Sequence, residues 1–212
     1  MTERDCRAVA AWLLICAAFA FATVVVGGIT RLTHSGLSIA EWQPLVGVVP
    51  PLSQTDWEAL FAKYRETPQF SQAFSGMDLE GFKSIFWWEY LHRLLGRLIG
   101  VVFFVPYVFF LVRRQLTQTL AWQLAGVFAL GALQGALGWY MVQSGLVDDP
   151  RVSHFRLTAH LGLALAIFAA ELWIALGLLN LEKKNIPEQK TLPLVVVGLV
   201  FVMALSGGFV AG

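Results

Sequence analysis

The sequence predicts an all-α polytopic membrane protein: a four-transmembrane-helix bundle plus a truncated fifth helix, with a structured outer loop between helices 1 and 2. Three observations predict it. Of 212 residues, 57% are hydrophobic and only 14% are charged, against roughly 25% charged in soluble domains. Mean hydropathy is +0.66. The apolar residues are gathered into five runs, each about 20 residues or longer, the length that crosses ~30 Å of hydrocarbon as a helix.

The first run extends from Ala8 to about Thr30. Arg4 and Arg7 precede it, and it is too long for a signal-peptide core, so a retained first span is expected. Gly27-Gly28 near its end permit close helix approach. The outer loop then runs to about Ser84, punctuated by Trp42, Pro44, Pro50 and Pro51. Within it, Ser53-Gln-Thr-Asp56 has the character of a capping box. Trp57, Leu60, Phe61 and Tyr64 recur at helical spacing, an amphipathic helix whose berth is either the membrane interface or the mouth of the bundle, or else the protein's own loop. The second span covers about Ile85 to Val112 and stops at Arg113-Arg114. The third covers about Leu120 to Val142, with Trp139-Tyr140 where an aromatic belt belongs. After the Asp148-Asp-Pro-Arg151 turn, the fourth covers about Ser153 to Leu179, and the fifth begins near Leu192 and is cut off at Gly212. Residues 1–180 are thus expected to form one four-helix half, and 181–212 a cytoplasmic linker and the first helix of a second half.

Charge sets the orientation and excludes some functions. Arg4, Arg7, Arg113, Arg114, Lys183, Lys184 and Lys190 fall on one side, which the positive-inside rule makes cytoplasmic, with the N-terminus. A net charge of +1 without a basic patch excludes a nucleic-acid footprint. Cys6 and Cys16 fit neither a disulfide framework nor a metal-ligand spacing.

The chemistry concentrates in the second and fourth spans. Glu89, His92, Arg93 and Arg97 sit inside an apolar run, where an ionisable side chain costs ~2.5–3.5 kcal/mol even on lenient scales. Such groups persist where they face a bundle interior, pair, or do chemistry. His92 and His160 each lie about seven residues into their spans, which run in the same direction, so both sit roughly 10 Å below the outer surface. Two imidazoles at matched depth on separate helices suit the axial ligation of one haem iron, the way bundles build cofactor sites. Arg93, Arg97 and Arg156 lie at similar or shallower depth and suit haem propionates. Each residue also has a plainer reading. Glu89 could orient His92 or pair with Arg93, or it could take a proton or stabilise positive charge in a reaction. Arg93 and Arg97 could only neutralise Glu89. Gln134, buried mid-span, hydrogen-bonds a neighbouring helix or touches a porphyrin. His34 and His154 read as loop anchors near the outer mouth, with a lesser reading as alternate ligands, and Trp87-Trp88 as an interfacial belt.

The residues resemble the haem A synthase family. The resemblance is carried by Gly27-Gly-Ile-Thr-Arg-Leu-Thr-His-Ser-Gly-Leu-Ser38, by Trp42-Gln-Pro44 with Gly47 and Pro50-Pro51, and by Glu89-Tyr-Leu-His-Arg93. Gln134-Gly-Ala-Leu-Gly-Trp139, Arg151-Val-Ser-His-Phe-Arg-Leu-Thr-Ala-His160 and Ser206-Gly-Gly-Phe-Val-Ala-Gly212 continue it in family order. The resemblance implies eight spans in two pseudo-symmetric halves, of which this sequence holds the first and little more. A weak echo of Val24-Val-Val-Gly-Gly-Ile29 in Ala204-Leu-Ser-Gly-Gly-Phe209 agrees with that. It implies oxidation of the C8 methyl of haem O to a formyl group, giving haem A for cytochrome oxidase. It places substrate haem between His92 and His160, the essential carboxylate at Glu89, and a permanent haem b in the second half. The loop cysteine pair of one branch of the family is absent, so the sequence resembles the proteobacterial and mitochondrial branch. The implied setting is the bacterial inner (plasma) membrane, with haem O synthase and cytochrome oxidase assembly factors as partners, and a homo-oligomer is compatible with it. The alternative is a b-type haem module that carries haem or electrons without catalysis, for which a bis-histidine site alone would suffice. A subunit without cofactor would leave two intramembrane histidines unexplained.

Overall fold

The computed structural model describes residues 1–41, 46–147, 150–179 and 191–211. The Trp42-Gln-Pro44 motif, Asp148 and Asp149, the cations Lys183, Lys184 and Lys190, and Gly212 lie outside the described residues. Among the described residues all regular structure is helical, in the order α1 (Glu3–Leu32), a 3-10 turn (Val46–Val48), α2 (Gln54–Arg65), α3 (Pro68–Ala73), α4 (Leu79–Val112), α5 (Gln118–Gln143), α6 (His154–Leu178) and α7 (Thr191–Ala211). Five of these, α1, α4, α5, α6 and α7, are long and apolar enough to cross a membrane.

The helix ends follow local sequence. Thr2 caps α1 and Ser53 caps α2, each in a reciprocal box with the aspartate three residues on. Asp56, the partner of Ser53, is held below the ordinary aspartate range by the hydrogen bonds it accepts there. The far ends of α1 and α4 close alike, with His34 and Arg114 in the left-handed region and the next amide reaching back to Thr30 and Phe110.

α1 packs against both α4 and α6, α5 packs against α6 and more sparsely against α4, and α7 packs on α6. α4 and α6 therefore face each other across the interior, with α1 on one side and α5 on the other. At the N-terminal end this interior is filled by Trp12, Leu13 and Cys16 of α1, Phe103 and Phe110 of α4, Leu120, Leu124 and Val127 of α5, and Ile167 and Ala175 of α6. One polar contact there has a clear origin. Pro106 inside α4 has no N–H for the carbonyl one turn back. That Val102 carbonyl instead accepts from Trp12 Nε1 at 2.8 Å.

α4 is about 51 Å long at 1.5 Å per residue, more than a bilayer core needs. Its first turns project beyond the other end of the bundle, termed here the loop end, and there α2 docks. Tyr64, Phe82, Ile85 and Phe86 are buried together, with Trp57, Phe61 and Phe70 packed around them. The amphipathic helix thus lies at the mouth of the bundle, packed on the first turns of α4 and on α3 of the outer loop. Trp87 and Trp88 remain 45% and 37% exposed, as an interfacial belt requires.

Candidate functional site

Each of the two histidines rests on a glycine of a neighbouring helix. A side-chain carbon built on Gly27 of α1 would lie 2.8 Å from His92 Cε1, and one built on Gly138 of α5 would lie 2.9 Å from His160 Cε1. Only glycine lets the imidazoles lie that close to the backbone. The two rings are near enough to interact electrostatically, so α4 and α6 bring them into one region of the interior. Both Nδ1 atoms are buried without a hydrogen-bond partner among the described residues. The Thr23 backbone is within hydrogen-bonding reach of the His92 ring, so this ring is held while its Nδ1 stays open. Gln134 binds the neighbouring helix: its amide donates to the His160 carbonyl at 3.0 Å and lies 3.4 Å from His160 Nε2.

Glu89 is turned toward the loop. It is 2% exposed, and every hydrogen-bonding position of its carboxylate is engaged. Oε2 accepts from Ser38 Oγ at 2.7 Å and from the Ile39 amide at 2.8 Å. Oε1 accepts from Arg93 Nε at 2.9 Å and Nη2 at 2.6 Å. Arg93 in turn donates to the Ile39 and Glu41 carbonyls. One ion pair therefore clasps the start of the outer loop onto α4. The Tyr64 phenol is held above its ordinary range by burial and by the negative charge of Glu89.

The arginines divide. Arg93 and Arg97 line a cleft of about 320 Å³ between α4, α2 and the outer loop, alongside Lys63 and Tyr90. The histidines do not line it. Arg156 is spent on α5: it donates to the Tyr140 carbonyl at 2.8 Å and stacks 3.7 Å over the Tyr140 ring. His34 and His154 are both exposed. The His34 carbonyl accepts from Gln69, and the His154 ring packs on Phe155 and Phe209.

Three features escaped sequence reasoning. Gly138 carries no signal beyond its place in the Gln134–Trp139 motif. Ser38 ends the first motif, but nothing in the sequence pairs it with Glu89. Glu171 stands in the middle of the fourth apolar run, and its charge was the available signal. It is 1% exposed, beside Cys16, with Oε2 unpartnered.

Comparison with known proteins identifies the family. The sequence profile of the family described as "Cytochrome oxidase assembly protein" matches residues 10–212. Curated relatives named "Heme A synthase" include one from Nitrosospira multiformis, 58% identical over 97% of this chain and 59% of its own length. Others come from Nitrosomonas eutropha, 56% identical over 96% and 59%, and Rhodospirillum centenum, 52% identical over 97% and 56%. The chain thus spans about three-fifths of the length of the curated relatives it matches. No solved structure gives a significant match. With its profile match running nearly from end to end, the chain belongs to the cytochrome oxidase assembly protein family, the family of the haem A synthases.

Proposed function

We propose that this chain forms the substrate-binding half of a haem A synthase, which oxidises the C8 methyl of haem O to a formyl group. The observation that carries the proposal is the pair of half-buried imidazoles, His92 and His160, each resting on a glycine with its Nδ1 buried and unpartnered. Neutral imidazole is a common iron ligand, and residues on facing helices are the usual way a bundle holds haem. His92 and His160 would hold the substrate iron, and Gln134 donates to the His160 carbonyl beside them. Bound in the remainder of the protein, haem b would supply electron transfer.

The protein's own residues orient and neutralise. Arg93 and Arg97, on the cleft at the loop end, are placed for the propionates. Arg156 would have to leave Tyr140 to join them. Glu89 is proposed as the reacting carboxylate, and its geometry sets a condition on that role. Its lone pairs are committed to Ser38, Ile39 and Arg93. It can take up a proton only after Arg93 has moved, and a propionate would draw Arg93 away.

The proposed setting is the bacterial inner membrane, with the N-terminus cytoplasmic and α7 as the first helix of a second unit. Gly207-Gly208 of α7 echo Gly27-Gly28, which supports the repeat. The test is to incubate the purified full-length protein with haem O and analyse the pigment. Formation of haem A that stops in Glu89→Ala while haem stays bound supports the proposal. Haem binding without any conversion would favour a b-type carrier. Equal loss of haem from Glu89→Ala and His92→Ala would make Glu89 structural.

A further inference from the structure

The walls of the bundle interior are unequal. α1 closes it against both α4 and α6, and α5 closes it against α6, but α4 and α5 meet only in part. Their contacts lie toward the N-terminal end, where Phe103 and Phe104 pack on Phe128 and the Tyr107 hydroxyl donates to the Ala121 carbonyl. Followed toward the loop end, the same two helix faces turn to glycine. On α4, Gly96 and Gly100 share a face with Phe103 and Tyr107, and on α5, Gly131 and Gly135 share one with Leu124 and Phe128. At all four glycines, an added side-chain carbon would meet no atom within 4 Å among the described residues.

Glycine weakens a helix relative to alanine, and the common compensation inside a membrane is close helix packing. Here no close packing is present. The glycines also match in height. Gly96 and Gly100 lie about 6 and 12 Å from His92 along α4, and Gly135 and Gly131 about 4.5 and 10.5 Å from Gly138, the rest for His160. A second, independent observation points to a ligand at this level: the two neighbouring, half-buried imidazoles have buried Nδ1 atoms without a partner. A macrocycle held between His92 and His160 lies across the α4–α6 line, so its edges point toward α1 and α5. The α1 side is closed.

We propose that the loop-end half of the α4–α5 seam is a lateral doorway by which haem reaches the histidines from the bilayer, one edge of the macrocycle resting on Gly96, Gly100, Gly131 and Gly135. The inference rests on the haem-binding reading above. The inner end of the seam is apolar, with Phe104 47% and Phe128 36% exposed, so an apolar haem substituent can stay in lipid. α7 packs on α6, diagonal to α4, and leaves the seam clear.

The experiment is a stopped-flow Soret titration of the full-length protein in nanodiscs, with its resident haem b already in place, in which added ferric protohaem is read as a difference spectrum. Gly96→Leu with Gly131→Leu narrows the seam, Gly126→Leu fills open space on α5 away from it, and His92→Ala with His160→Ala removes the ligands. The expected result is association at least about tenfold slower for the seam variant, an unchanged rate for Gly126→Leu, and loss of the added bis-imidazole difference spectrum in the histidine variant. A seam variant that binds at the unsubstituted rate, with the histidine variant defective, overturns the doorway and leaves the haem reading standing. A histidine variant with an unchanged spectrum overturns both. If the leucines prevent folding, Gly96→Cys with Gly135→Cys bridged by a cleavable crosslinker gives the same test: slow association when bridged, restored on cleavage. Equal rates in both states refute the doorway.

Discussion

Substituting Glu89 by Gln tests the clasp between the outer loop and α4. The carboxylate accepts two hydrogen bonds from the loop and two from Arg93. Glutamine keeps one acceptor oxygen and turns the other into a donor. The charged guanidinium takes the oxygen, so the new amide faces Ser38 and Ile39. The Ser38 hydroxyl can rotate to accept, but the Ile39 N–H cannot. A hydrogen bond to a charged acceptor contributes about 1.5–3 kcal/mol. At 1.4 kcal/mol per decade, amide exchange at Ile39 should rise roughly 10- to 150-fold. Hydrogen-exchange mass spectrometry of the peptide over residues 36–41 reads this directly, with a peptide from the middle of α6 as the unaffected reference. Unchanged exchange at Ile39 would refute the clasp, as would a uniform rise in every helix, which would signal global loosening instead.

Further expectations follow from single contacts. Trp12→Phe leaves the Val102 carbonyl without its donor and should cost about 1–3 kcal/mol; adding Pro106→Ala restores a backbone donor, so thermal melting in detergent should show the double variant recovering much of the loss. Glu171→Leu replaces a buried, unpartnered carboxyl with an apolar side chain and should be neutral or stabilising by about 1–3 kcal/mol; a clear fall in melting temperature would show that the carboxyl has an essential partner. Gly27→Ala and Gly138→Ala push a carbon into the His92 and His160 rings. Overpacking of about 1–3 kcal/mol predicts haem affinity weakened roughly 5- to 150-fold by Soret titration, whereas unchanged affinity would mean the rings move freely.

The helices were legible because a span is written in one continuous stretch. Run length located α1, α4, α5, α6 and α7, Ser53 and Asp56 located the start of α2, and Arg113-Arg114 marked the end of α4. The candidate ligands His92 and His160 stood out because polar groups are conspicuous in apolar runs. Their supports did not, because these are set by packing between helices. Gly27 and Gly138 look like any small residues in a span until the histidines are seen lying on them. Glu89 was legible as unusual, but Ser38, its partner 51 positions away, was not. Glu171 was diluted by the apolar residues around it. The berth of α2 needed the projecting turns of α4, and no local pattern encodes that projection.

The central claim is that His92 and His160 hold a single haem between them. Electron paramagnetic resonance of the haem-loaded full-length protein, with His92→Ala and His160→Ala made separately, tests it most directly. Each substitution alone should remove the low-spin bis-imidazole signal that haem at this site adds to that of the resident haem b. Persistence of that signal in either variant would contradict it.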